Sequence, residues 1–142
     1  MKKLIVIFLV ILLGCKKEII SYPPDNLEII FNKPHLHYPM QMVCGWPQNT
    51  DSLPKGYKYK RIYDKVSVDK FLNLYGKYKV ATTNFGVDVR IYILVHQGIK
   101  TDTLCLGENF GVMLNGHSME DSKELLSFIK QKIEFEGKQI SD

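Results

Sequence analysis

No apolar run in this 142-residue chain is long enough to cross a bilayer. The longest, residues 4–13, has ten members. As a helix rising ~1.5 Å per residue it reaches roughly 15 Å, half of a ~30 Å hydrocarbon core. The chain also lacks a glycine-rich phosphate loop, a serine-hydrolase elbow and an H-E-x-x-H helix. The motif-based cases for nucleotide, acyl-transfer and zinc-protease chemistry therefore have no footing. Carboxylates are scattered without a pair suited to glycoside hydrolysis. Cysteine is scarce, at three residues, and "CGWP" at Cys44 is no redox loop, because Pro47 stands where the second thiol belongs. Charge is nearly balanced, 19 basic residues against 15 acidic ones, too even to argue for a nucleic-acid partner.

What is present begins at the start. Lys2 and Lys3 precede the short apolar run, the layout of a secretory signal held by its positive end on the cytoplasmic side. The run ends in Leu12-Leu13-Gly14-Cys15 rather than in a small-x-small cleavage site. That tetrapeptide resembles the lipobox of bacterial lipoproteins. The resemblance implies a diacylglyceryl group on the Cys15 sulfur, cleavage after Gly14, and Cys15 as the new N-terminus. It also implies palmitate-type acylation, with two or three chains giving stable membrane anchoring where one would be marginal. Lys16 follows the cysteine. In Gram-negative lipoproteins an aspartate there often marks inner-membrane retention, so the outer membrane facing the periplasm is favoured and surface exposure is left open.

The remaining counts change on that reading. Residues 1–14 form the signal, 15–26 a lipidated tether stiffened by Pro23 and Pro24, and 27–142 a single domain. Loss of Lys2 and Lys3 lowers the basic count from 19 to 17 against 15 acidic residues, leaving +2. Of the three cysteines, Cys44 and Cys105 remain, and an even pair in an oxidising envelope is read first as a disulfide. The competing role for Cys44 is a nucleophile served by a histidine brought near in the fold.

The expected fold class is α+β, a small antiparallel sheet packed by two helices. Residues 27–31 form a strand, 41–44 a short one, and 57–66 an extended segment with period-two pattern. Helices are expected over about 67–76 and 119–135. Ser67 would cap the first and Gly76 would stop it in the left-handed region, while Ser118 with Asp121 would cap the second. Between them lies a meander over 87–114. Val87, Val89, Ile91, Ile93 and Val95 would share one face, under the stripe of Leu125, Leu126, Phe128, Ile129 and Ile133. Leu104 and Leu106 alternate with Cys105, so Cys105 belongs on the face away from the last helix, with Tyr92 and Leu94. A bridge from Cys44 would hold the proline-rich N-terminal segment against that face.

Functional leads are few. His35 and His37 could offer two imidazoles from one side of an extended segment, but a zinc site needs three or four ligands and no partner is near in sequence, so neither metal nor cofactor is expected. His96 and His117 sit in no signature. The one compositional anomaly is "KGYKYKRIYDK". Residues 55–79 hold eight basic and two acidic side chains. An edge strand guarded by lysines would look like this. So would a binding surface, since tyrosine and arginine are favoured at interface hot spots. The candidate surface is Tyr57, Lys58, Tyr59, Lys60, Arg61 and Tyr63. The expected function is a non-catalytic envelope lipoprotein that binds a protein or ligand, of immunity or inhibitor type in one version. The alternatives are an accessory subunit of an envelope complex, and a small hydrolase or redox enzyme using Cys44 or a histidine. Replacing the anchor atom, Cys15→Ser, is expected to abolish incorporation of radiolabelled palmitate; continued labelling would exclude the lipoprotein assignment.

Overall fold

The computed structural model describes residues 23–35, 41–45, 53 and 55–136. Its sheet is built from β1 (Asn26–Asn32), β2 (Tyr57–Ile62), β3 (Val89–Gln97), β4 (Lys100–Gly107), β5 (Val112–Leu114) and β6 (His117–Met119). The order is β2-β1-β3-β4-β5-β6, with every neighbouring pair antiparallel. Helix α1 (Lys65–Tyr75) connects β2 to β3, and α2 (Lys123–Lys132) follows β6. The chain is thus a small α+β fold.

Both helices lie on one face of the sheet. Leu27, Ile29, Ile91, Ile93, Leu104 and Leu106 form the floor of this core. Val68, Phe71 and Leu74 of α1 close it, with Leu125, Phe128 and Ile129 of α2. The spacing of those helical residues, three and four apart, is the stripe expected of an amphipathic helix, and Phe71, Leu125 and Ile129 are completely buried.

The helix ends differ from the sequence-based expectation. The α1 cap is Asp64, whose Oδ1 accepts from the Ser67 amide at 2.8 Å; Ser67 itself is buried inside the first turn. Asp64 and Ser67 are both good capping residues, and the helix takes the earlier one, which adds a turn's worth of packing. Gly76 stays right-handed, at φ −65°, and donates to the Leu72 carbonyl at 2.9 Å, so it ends α1 without the left-handed turn. The second helix starts at Lys123 under a Ser122 cap. Ser118 lies in β6, and the Asp121 carboxylate accepts from the Gly111 amide at 2.7 Å instead of capping.

The strand β6 itself was not anticipated. Asn115 and Gly116 both take positive φ, 49° and 83°, the pattern of a tight two-residue hairpin turn. A three-residue strand leaves too little period to read. Residues 41–45 form no strand either; they dock irregularly, Met42 accepting from the Val89 amide at 2.9 Å and donating to Asp88 Oδ1 at 3.0 Å. The same docking accompanies a register shift between Val89 and Ile91. In consequence Val87 and Val89 do not join the helix-side face as their alternation suggested. They pack with Ile30, Tyr92 and Cys105 on the opposite face.

Among the described residues the helix-side core contains one buried carboxylate, Asp102. Tyr75 Oη donates to its Oδ2 at 2.7 Å, Asn115 Nδ2 to its Oδ1 at 2.8 Å, and Lys100 Nζ lies 2.9 Å away. Burial pushes the Asp102 pKa up, but the hydrogen bonds from Asn115, Lys100 and Tyr75 outweigh it, and the net shift is downward. A carboxylate with a depressed folded pKa adds stability above its unfolded value, near ~3.9, and that contribution is lost as pH falls through the folded value. Asp102→Ala is expected to lower unfolding free energy by about 3 kcal/mol at neutral pH. Urea denaturation at pH 7 and pH 3 checks this: the gap between wild type and variant should shrink at pH 3, and a pH-independent gap would assign the loss to packing alone.

Candidate binding surface

Alternation divides the basic, tyrosine-rich strand between two environments. Lys58, Lys60 and Ile62 turn towards the helices. Ile62 joins the core, Lys58 Nζ sits 5.9 Å above the Phe31 ring, and Lys60 Nζ donates to the Lys132 carbonyl at 2.6 Å. That last bond satisfies a free carbonyl at the C-terminal end of α2, where a cation is favoured. These two lysines therefore have structural employment.

Tyr57, Tyr59, Arg61 and Tyr63 take the other side. Tyr57 packs at the margin of the second apolar cluster. Tyr59 and Tyr63 are 42% and 61% exposed. The Arg61 guanidinium hydrogen-bonds Glu28 and donates to Tyr63 Oη at 3.0 Å, with its centre 5.5 Å from the Tyr63 ring. The cross-strand register places Glu28 directly opposite Arg61. His96 completes the group: Nε2 is 3.5 Å from Glu28 Oε1, and Nδ1 is 3.0 Å from Thr101 Oγ1. Burial lowers the His96 pKa, and the Arg61 charge lowers it further. The imidazole is thus neutral at physiological pH, leaving Glu28 to hold Arg61 in a fixed orientation. Glu28 was missed at the level of sequence, because its role depends on the β1–β2 register, which no local pattern encodes.

The second face of the sheet is closed by a covalent bond. Cys44 and Cys105 form a disulfide with Cα atoms 5.8 Å apart, inside the usual range. Cys105 is completely buried, opposite the helices, as its alternation with Leu104 and Leu106 implied. Met42, Cys44, Leu94 and Met113 flank the small cluster around Tyr92. Beside the bridge runs a groove of about 620 Å³ whose lining includes Val43, Cys44, Val87, Tyr92, Met113 and Asn115. With its sulfur in the bridge, Cys44 has no thiolate with which to attack a substrate.

The remaining histidines are dispersed. His35 lies 3.2 Å from Glu108 at the rim of a second crevice that also contains Asp88 and Arg90, the last two paired at 2.5 Å. His117 is exposed at the start of β6, and His37 falls outside the described residues. Among the described residues no three His, Cys, Asp or Glu side chains converge on a metal-sized site. Cys15 and the whole signal segment also fall outside them, and no helix among them is long and apolar enough to cross a membrane. Compared with family models, curated proteins and solved structures, the chain matches none.

The bridge closes a loop between positions 61 residues apart. In the chain-entropy model such a closure is worth roughly 4 kcal/mol. The double variant Cys44→Ala, Cys105→Ala should lose about that much in guanidinium denaturation, and an unchanged midpoint would show that the segment holds its place without the bond.

Proposed function

We propose that this chain is a membrane-anchored envelope lipoprotein whose domain binds a protein partner without catalysis, through the outward side of β2. The observation that carries the reading is the arrangement of Tyr59, Arg61 and Tyr63. Two exposed aromatic rings flank a guanidinium whose orientation is fixed by Glu28 and by Tyr63 itself. Aromatic and arginine side chains held rigid before binding lose little conformational entropy on association, which is why they recur as interface hot spots. Because Glu28 neutralises Arg61, the surface offers stacking and directed hydrogen bonds more than net charge.

Export is supported by two independent features. The lipobox-like Leu12-Leu13-Gly14-Cys15 supplies the address, and the Cys44–Cys105 bridge suits an oxidising compartment, where disulfides persist. On this reading Cys15 carries the lipid, the outer membrane facing the periplasm is the favoured site, and an immunity-type or inhibitory role against an incoming protein fits a small tethered domain. No cofactor is invoked.

The test is crosslinking in intact envelopes followed by affinity capture and mass spectrometry, comparing wild type with Tyr59→Ala/Arg61→Ala. The double variant should recover the specific partner at least about tenfold less well, the cost expected for losing a hot-spot pair. Circular dichroism must show it folded. A folded variant that captures the same partner undiminished would rule out the surface.

A further inference from the structure

The described chain begins at one end of the sheet, and the exposed apolar side chains at that end form a pattern. Asn26 pairs with His96, Leu27 with Ile62, and Gln97 with Lys100. The entry into β1, the exit from β2 and the β3–β4 turn are thus at the same end. Asp25 Oδ1 accepts from the Gly98 amide at 3.0 Å, tying the incoming chain to that turn. Helix α1 also starts there, three residues after β2. From this end project Tyr63, Val66 and Ile99, which are 61%, 80% and 85% exposed. They come from the exit of β2, the first turn of α1 and the β3–β4 turn. With β2 and β3 on either side of β1, the patch is on the order of 10 Å across.

We infer that Val66 and Ile99 form a lipid-docking end, by which the domain rests on the bilayer that holds its anchor. The inference rests on lipidation of Cys15, and chain continuity is what names the occupant. Ten residues, 16–25, separate Cys15 from Asn26. Fully extended they reach at most ~35 Å, and Pro23 and Pro24 restrict the last of them. The end where the tether enters is therefore the end that the tether returns to the membrane most often. A side chain held within a few tens of ångströms of a bilayer meets it at high effective concentration, so even weak partitioning is populated. Valine and isoleucine suit the acyl boundary just beneath the headgroups.

Charge plays little part in this docking. Three basic groups at the same end of the described domain are paired with carboxylates: Lys65 Nζ lies 2.7 Å from Asp69, Lys100 Nζ lies 2.9 Å from Asp102, and Arg61 is held by Glu28. These three groups therefore add little attraction to anionic headgroups, and the apolar contact should survive salt. The opposite end of the sheet carries its own exposed ring, Phe110, 75% exposed in the loop after β4. If exposure alone governed insertion, Phe110 would insert as readily as Ile99. The tether makes the difference between them.

The experiment uses the full acylated protein, extracted from membranes and reconstituted into phosphatidylethanolamine–phosphatidylglycerol vesicles with brominated acyl chains. The single native tryptophan is removed as Trp46→Phe, and reporters are introduced one at a time as Ile99→Trp, Val66→Trp or Phe110→Trp. Bromine quenching of the Ile99→Trp and Val66→Trp proteins should exceed that of Phe110→Trp by about threefold and persist in about 0.5 M NaCl, where the Debye length is only a few ångströms. Equal quenching at both ends, or quenching abolished by salt, would overturn the lipid-docking end while leaving the anchor intact. Intact mass lacking acyl chains on Cys15 would instead remove the lipoprotein reading, and the docking proposal with it.

Discussion

Strand β3 is apolar on both of its faces, and most of the structure answers to that constraint. Ile91, Ile93 and Val95 point to one side, Val89 and Tyr92 to the other, and all five are buried. A sheet with one wet face can be completed by helices alone; this one needs covers on both sides. The two helices are committed to the first face, where their apolar stripes fit a floor of leucine and isoleucine. The second face has no helix left to it among the described residues. It is covered by an irregular segment with little secondary structure of its own, and such a segment loses much conformational entropy on docking. The covalent link to Cys105 offsets that loss, and the hydrogen bonds between Met42 and the start of β3 fix where the segment lies.

Among the described residues the covering is incomplete, and the exposed part is where binding is proposed. The bridge secures the half of the second face over β3, β4 and β5. At the end where β1 begins and β2 finishes the surface turns polar, and Glu28, Arg61 and His96 hold one another in place of an apolar lid. The lysines that make the β2 sequence look uniformly basic are spent on the other side, against Phe31 and the end of α2. A sequence stretch that reads as one cationic patch is therefore two surfaces, one structural and one exposed. At the far edge of the sheet residues 79–81 meet β6, the Ala81 amide donating to the Ser118 carbonyl and the Glu120 amide to the Lys79 carbonyl.

How far the sequence disclosed this depends on the range of the interactions involved. The face of Cys105 and the apolar stripe of α2 follow from period alone, and both were legible. So was the turn at Asn115-Gly116, whose chemistry is local. The choice of Asp64 over Ser67 as a cap was not, because both are competent and the decision lies in how Val68 and Phe71 meet the sheet. The side taken by Val89 was hidden for a similar reason. Its amide bonds to Met42, far away in the chain, and the register shift beside it breaks a clean alternation. Glu28 was invisible as a site residue until β1 and β2 were aligned. Local patterns gave elements and faces; long-range register decided ends, bulges and the site.

The disulfide has a consequence for the order of events in making the protein. Three thiols can pair in three ways, and only one pairing matches the fold. If Cys15 takes lipid on its sulfur, that thioether has no thiol left for either of the two pairings that would use it. Acylation would then serve as a chemical protecting group as well as an anchor. A protein whose lipid attachment failed would be left with a third thiol competing for Cys44 and Cys105, so mislocalisation and misfolding would share one cause.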